Sequence, residues 1–443
     1  MTDKIHQVAI IGGGVCGTAL LYMLSDYTDI DDIVLLEKYD AVAKVNSHGR
    51  NNSQTLHCGD IETNYSLDKA CKVKASAQMV VNYTATLANR EQLIFKYPKM
   101  VIGIGDEECA QLRQRFEIFR QRFSSMQLLE KDEIAKIEPN IIMNNGVERP
   151  EPCVALAVLD DYSAVDFNKL AESFVSQASK HIEKNIEIKF NHQVEQITEQ
   201  DGVFLIQTQD RIIKAKSIVV SAGGHSLLLA QQMGYGLEFS CLPVAGSFYF
   251  TPDVLNGKVY TVQNDKLPFA AVHGDPDVLT PGKTRFGPTA LMLPLLERYN
   301  LSTFTEFLKV LRLDSKVLRV FWDLIKVSDI RNYIFKNFLF EIPGLRERLF
   351  LKDARKIVPS LQLADISFAK GFGGVRPQLI DKKQAKLMLG EAKINPGTGI
   401  IFNMTPSPGA TSCLENAEID MRLIAGFLNK TVDETKLQNV LHK

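Results

Sequence analysis

Charge of one sign is missing from this chain: 51 Lys and Arg stand against 52 Asp and Glu in 443 residues, a net charge of −1. Without a basic excess there is no electrostatic footprint of a nucleic-acid partner. No window approaches the ~18–20 uninterrupted apolar residues of a membrane-crossing helix, so no spanning segment is expected. The seven cysteines, at 16, 58, 71, 109, 153, 241 and 413, form no C-x-x-C pair and no zinc-like spacing. They read as reduced cytosolic thiols, and no metal site is expected. The opening MTDKIHQVAII lacks the charged start, apolar stretch and cleavage site of a secretory signal. A G-x-S-x-G elbow, internal repeats and low-complexity segments are also absent. The length and a hydrophobic content of 45% allow more than one core, and roughly two domains are expected.

What is present begins at His6 to Ile11, a short apolar run suited to a buried parallel strand, which ends at once in Gly12, Gly13 and Gly14. Val15 to Leu24 is apolar almost throughout, as in a helix packed on a sheet, and Asp31 to Glu37 supplies a second strand. Within this βαβ unit Gly12, Gly14 and Gly17 make G-x-G-x-x-G: one glycine for the tight turn, one to admit a pyrophosphate, one for close helix–strand approach. The helix start offers N–H groups to phosphates. Glu37, twenty positions after Gly17, can accept from both ribose hydroxyls and disfavours a 2′-phosphate. A lone glycine motif is often only a turn; strand, glycines, helix and acid in order point to a dinucleotide.

The glycines do not choose between FAD and NAD. Three further segments bear on that choice: the polar loop Ser47 to Tyr65, the apolar strand Ala215 to Gly224 ending in Ala-Gly-Gly, and GFGGVRPQ at 371–378 together with NMTPSPGATSCLEN at 403–416, which leads into an amphipathic helix. Their order resembles the glutathione reductase-like FAD fold, in the branch with D-amino-acid oxidase-like substrate domains. More narrowly, NNSQTLHCGD at 51–60, KVYTVQNDKLPFAAVHGDPD at 258–277, KTRFGPTA at 283–290 and GGVRPQ at 373–378 resemble the FAD-dependent malate:quinone oxidoreductases of the shorter bacterial type, relatives of the L-2-hydroxyglutarate dehydrogenases. Nothing functional is carried over from that resemblance between Leu291 and Leu363.

The resemblance implies an α/β protein with a discontinuous FAD-binding Rossmann domain (1–75, 155–240 and 365–443) and an antiparallel-sheet substrate domain (76–154 and 241–364) carrying a helical insertion. It implies noncovalent FAD, although His57 and Cys58 raise the question of covalent attachment. The cofactor is expected against Gly12, Gly14, Val15, Gly17, Glu37, Lys38, Asn52, Ser53, Gln54, Val194, Ala222, Gly223, Gly374, Arg376, Pro408, Gly409, Ala410 and Thr411. It further implies oxidation of (S)-malate to oxaloacetate, with hydride passing to flavin N5 and electrons to membrane quinone.

Such a reaction needs a base for the hydroxyl proton and cations for the carboxylates. Histidine suits the base because its ordinary pKa lies near neutrality. His273, after the apolar run Pro268 to Val272, is the first candidate, and His57, in the presumed flavin loop, is the alternative or a carboxylate donor. Arg376 is the leading carboxylate clamp, because a guanidinium binds bidentately and stays charged when desolvated. Malate has two carboxylates, and Arg285 is the second candidate, or on the opposite facing a surface arginine. Gln54 and Thr55 are candidates for neutral hydrogen bonds.

Residues 301–351 turn helical, with the one tryptophan, many Phe and Leu, and interspersed cations. Two readings stand: helices packed on the enzyme's own sheet, or a face in the headgroup layer that brings quinone within reach of the flavin. The second implies a cytoplasmic protein bound peripherally to the inner face of the cell membrane. Three other functions fit the same pattern: an L-2-hydroxyglutarate dehydrogenase or oxidase, an amine oxidase, and a flavin-binding membrane-surface protein without turnover.

Overall fold

A computed structural model describes residues 4–263, 272–388, 390–405 and 408–443. Its first sheet is built on β1 (Ile5–Ile11), which pairs in parallel with β2 (Asp32–Leu36) and with the strand Ile212–Val220. Asn185–Lys189 extends the β2 edge; Val203–Thr208 and Val194–Gln200 extend the other side as an antiparallel ribbon. Ile400–Met404 returns from the far end of the chain to pair in parallel with Ile212–Val220. Val8 to Ile11 and Ile33 to Leu36 are buried throughout. Such continuous apolar strands need cover on both faces.

The helix α1 (Val15–Tyr27) covers one face and packs between Phe167–Ala178 and Cys413–Phe427. Tyr22, Tyr83 and Phe174 cluster there, with Tyr83 and Phe174 ring centroids 4.6 Å apart. Sequence patterning places the start of the Phe167–Ala178 helix at Val165, but Val165 ends a strand, Tyr162–Val165. Asp166 marks the change, its side chain accepting from the amides of Asn168 and Lys169 as an N-cap. The run Phe95 to Ile104 reads in sequence as a single strand, but the structure has two there, Ile94–Lys96 and Lys99–Ile104. They are divided at Pro98, which has no N–H to give a ladder.

A second sheet runs in the order Ser367–Phe368, Tyr249–Pro252, Lys283–Gly287, His273–Pro276, Lys258–Thr261, Lys99–Ile104, Cys153–Val158, Gln127–Glu130. It is antiparallel except where Lys258–Thr261 meets Lys99–Ile104. A third, smaller sheet pairs Phe239–Ala245 with Val375–Asp381, flanked by Leu291–Met292 and Lys386–Met388. The strand pairing therefore does not follow a boundary at 365. Ser367–Phe368 belongs to the second sheet and Val375–Asp381 to the third; from Ala392 onward the chain rejoins the first sheet.

The insertion is helical as expected, with helices Thr303–Leu311, Ser315–Lys326, Ser328–Leu339 and Arg346–Ile357. No helix among the described residues is long and apolar enough to cross a membrane.

Candidate active site

At the glycine turn, Gly12 has φ +107° and lies so close to the neighbouring strand that a Cβ would stand 2.5 Å from the Ser221 carbonyl oxygen. At Gly17 a Cβ would stand 2.0 Å from the Gly12 carbonyl oxygen, so this glycine is required by the fold itself. Gly14 differs: a Cβ there meets only the Ser47 hydroxyl, at 3.3 Å. It is the N-cap of α1, which has no side-chain cap and no acid in its first turn. An uncapped, acid-free helix start at a glycine turn fits a diphosphate.

Glu37 is buried, its carboxylate accepting from the Gly13 amide at 2.7 Å and the Tyr39 amide at 2.9 Å. Burial raises its pKa, against those two amides. Ala222 and Gly223 lie across from Gly12 at the end of the strand Ile212–Val220. Val194 opens its strand two residues after His192, whose amide donates to the Glu37 carbonyl. The turn, the acid and the Ala-Gly-Gly end are thus brought together. Val15 donates its amide to the Ser47 hydroxyl at 2.9 Å, and the Lys38 ammonium pairs with Glu297.

The loop after β2 is sewn to the third sheet by Asn46, whose amide group donates to the Val375 carbonyl and accepts from the Val375 amide, at 2.8 and 3.0 Å. Gly374 permits the approach, since a Cβ there would stand 2.4 Å from the Asn51 carbonyl oxygen. This seam lines a cavity of about 720 Å³, its open mouth included. Asn52, Ser53, Thr55 and His57 form one wall, Gly374 and Arg376 another, and Pro408, Gly409, Ala410 and Thr411 a third. Residues 406–407 of that last loop lie outside the described residues. The Thr411 hydroxyl accepts from the His57 amide at 3.1 Å, tying the first wall to the third.

Arg376 faces this cavity with no carboxylate partner among the described residues. Burial pulls its guanidinium below the ordinary range, opposed by the phenols of Tyr333, Tyr260 and Tyr65. Beside it, His57 Nδ1 lies 2.8 Å from a carboxylate oxygen of Glu62. Burial pushes the Glu62 carboxyl up, but the bond and charge of His57, with Lys99, outweigh it and leave the pKa below the ordinary value. An ionised carboxylate only accepts, so a neutral ring bonded to it through Nδ1 carries its proton there and leaves Nε2 as the acceptor.

The other two expected catalytic residues are buried and are not among those that line this cavity. His273 is 3% exposed, stacked on Tyr260 at 4.3 Å between centroids, with Nδ1 2.6 Å from Asp275. Burial keeps its pKa below 6.5 despite that carboxylate. Asp275 is shared with Lys258, at 3.2 Å, and Lys258 also donates to the Thr55 hydroxyl. Arg285 is buried, which excludes the surface reading. Its guanidinium is 3.1 Å from Asp277, donates to the Gly49 carbonyl at 3.0 Å and lies over the Phe248 ring. Gln54 is likewise buried, donating to the Gly49 carbonyl and accepting from the Val278 amide. Most of the apolar run ahead of His273, residues 268–271, lies outside the described residues.

Glu62, Tyr65, Tyr260 and Tyr333 were not singled out in the sequence. Glu62 alone left a trace there, five positions after His57 in the polar loop. Among the described residues one group has the spacing of metal ligands, Cys58, Asp60 and Asp161. The Lys99 ammonium lies 2.8 Å from Asp60 and 3.8 Å from Asp161, so a lysine already neutralises this group.

The whole chain resembles solved flavoenzymes in fold. An FAD-bound L-α-glycerophosphate oxidase from Mycoplasma pneumoniae aligns over 97% of this chain and 96% of its own, with TM-score 0.63 and 21% identity. A glycine oxidase from Geobacillus kaustophilus aligns over 95% of each chain, with TM-score 0.65 and 16% identity. In sequence, a "probable malate:quinone oxidoreductase" from Campylobacter jejuni is 48% identical over the full length of both chains. A malate:quinone oxidoreductase from Helicobacter pylori is 47% identical over 96% of each. The family profile described as malate:quinone oxidoreductase matches residues 4–443, and the chain belongs to that family.

Proposed function

We propose that the cavity between His57 and Arg376 is where this enzyme oxidises (S)-malate, with quinone as the acceptor. The observation that carries the reading is Arg376, a cation facing a cavity beside an oriented histidine, without a counter-ion among the described residues. A half-buried cation without a counter-ion favours a ligand anion that completes it. Arg376 holds one malate carboxylate bidentately and fixes C2 and its hydroxyl near His57. His57 Nε2 accepts the hydroxyl proton. The second carboxylate falls to neutral donors of the cavity wall.

FAD fits the first sheet: the uncapped α1 start takes the diphosphate and Glu37 the ribose, with the cavity walls at Asn52, Ser53 and 408–411 left for the flavin. When bound it supplies the two-electron acceptor for the C2 hydrogen and passes those electrons to quinone. We assign it as noncovalent. Burial pushes the Cys58 and Cys16 thiols up to about 12, and His57 Nδ1 is already held by Glu62. Flavin released into the supernatant on acid precipitation tests this.

Quinone reaches the site from a bilayer on which the helical insertion rests. In Ser315–Lys326, Leu318, Trp322 and Ile325 share one face and are 54%, 59% and 46% exposed; Phe335 and Phe338 are exposed on the next helix. Lys316, Arg319, Lys326 and Arg331 flank them. An apolar ridge flanked by cations suits the headgroup layer. The inner face of that second helix is anchored to the protein by Asn337, which accepts from the Ala290 amide and is buried.

Anaerobic mixing tests the central reading: malate bleaches the flavin, 2-hydroxyglutarate and lactate do so far more slowly, and amino acids not at all. Bleaching by 2-hydroxyglutarate in preference to malate would transfer the assignment to that substrate.

A further inference from the structure

Glu62 spends burial on a single contact. Its side chain is 8% exposed, one oxygen lies 2.8 Å from His57 Nδ1, and the other has no hydrogen-bond partner among the described residues. A half-satisfied buried carboxylate is unfavourable for folding. The chain nevertheless builds a support for it. Arg115, from the helix Asp106–Phe119, donates to the carbonyls of Glu62, Thr63 and Tyr65, at 2.7, 3.4 and 3.0 Å. The Thr63 hydroxyl accepts from the Gln263 amide at 2.9 Å. Three carbonyls gathered on one guanidinium fix the path of residues 62–65, and with it the place from which Glu62 reaches His57.

From this geometry we propose that Glu62 is a positioning residue for the reaction, acting through His57. Its carboxylate holds the proton on Nδ1, which presents Nε2 to the cavity as an acceptor, and it stabilises the imidazolium that forms when the substrate hydroxyl proton arrives. No bond to Glu62 is made or broken: the proton leaves the substrate oxygen, rests on Nε2, and Glu62 stays ionised. This is the logic of a carboxylate behind a histidine base. Lys99 contributes a cation to the same side, already paired with Asp60. The inference rests on the reading of His57 as the base.

The test is anaerobic flavin reduction by malate in the FAD-loaded enzyme, with Glu62→Gln, His57→Ala and the double variant. Glu62→Gln should lower the reduction rate by about 10²–10⁴-fold, the range of a general base, while KM and flavin content hold. In the His57→Ala background the same substitution should add nothing, because the pair acts as a unit. His57→Ala at the wild-type rate overturns the base reading. An impaired His57→Ala beside an unimpaired or additive Glu62→Gln overturns only the role of Glu62. Should Glu62→Gln fail to fold, ¹⁵N-histidine spectra of the wild-type holoenzyme decide, with the His57 signal assigned by its loss in His57→Ala. A proton on Nδ1 supports the proposal, and one on Nε2 refutes it.

Discussion

Two arginines read from the sequence as carboxylate clamps are divided by the structure, and replacing each with methionine should give opposite results. Arg285 and Asp277 are a buried pair, with side chains 1% and 0% exposed. Arg285→Met leaves Asp277 charged and without that partner, which costs about 3–5 kcal/mol of stability. The Gly49 carbonyl also loses a donor, loosening the loop that carries Asn52 to Thr55. Among the described residues Arg376 has no such partner to abandon. Arg376→Met removes a half-buried cation without a counter-ion, so the thermal midpoint of the substrate-free protein should hold. What it loses is a bidentate contact to substrate: two charge-assisted bonds of about 1.5–3 kcal/mol each, or roughly 10²–10⁴-fold in kcat/KM for malate.

Thermal unfolding and steady-state kinetics on both variants are the assay. Arg376→Met should unfold no earlier than wild type and be crippled in kcat/KM, whereas Arg285→Met should unfold clearly earlier. If Arg376→Met unfolds early and its folded fraction turns over malate normally, the cavity cation has a structural role and the substrate reading fails.

Three other outcomes follow from the same geometry. Gly14→Ala should fold like wild type yet bind FAD weakly, since its Cβ meets only Ser47 in the protein; Gly17→Ala should lower the stability of the flavin-free protein too, because its Cβ lands on the Gly12 carbonyl. Flavin titration and unfolding of the flavin-free protein separate them. Trp322 is the single tryptophan, so its emission should shift to the blue on anionic vesicles, and Phe335→Asp/Phe338→Asp should abolish vesicle pelleting; unchanged emission and pelleting would remove the membrane face. Burial raises the Glu138 carboxyl to about 7 from 4.5, against amide bonds from Asn256 and Gly257. The fold thus prefers it protonated, and its contribution is present below 4.5 and lost as pH rises through about 7. Between those values, stability of the wild type should fall more steeply than that of Glu138→Gln.

The nucleotide unit was legible in the sequence because its signals are local. Strand, glycines, helix and Glu37 follow one another within 33 positions of Ile5, and their roles need only backbone geometry. Which of the two candidate histidines lines the cavity was not legible. His57 and His273 each have a carboxylate nearby in sequence, Glu62 and Asp275, and periodicity does not tell which ring faces a cavity. The difference is tertiary: His273 lies in a strand against Tyr260 and Lys258, while His57 lies on a loop drawn to the cavity by Thr411 and Asn46. Arg285 escaped for the same reason. Its partner Asp277 lies across the pairing of His273–Pro276 with Lys283–Gly287, a contact set by register. The split of residues 365–390 between two sheets likewise depends on partners more than 100 positions away, Tyr249–Pro252 and Phe239–Ala245.

The charges behind the cavity separate structure from function more sharply than any one side chain does. Lys258 is matched by Asp275, Arg285 by Asp277 and Lys99 by Asp60, each pair nearly free of solvent. Three buried pairs add little to stability over apolar packing. What they do is leave the wall rigid and close to neutral, so that the field within the cavity is set by the groups left uncompensated. Among the described residues those groups are Arg376, without a carboxylate partner, and Glu62, with one oxygen unbonded and the other on His57. A cation to hold a carboxylate and an anion to steady a protonated imidazole are the two charges that malate oxidation requires. Arg376 faces the cavity itself, whereas the Glu62 carboxylate is buried, outside the cavity lining, and bonded to His57.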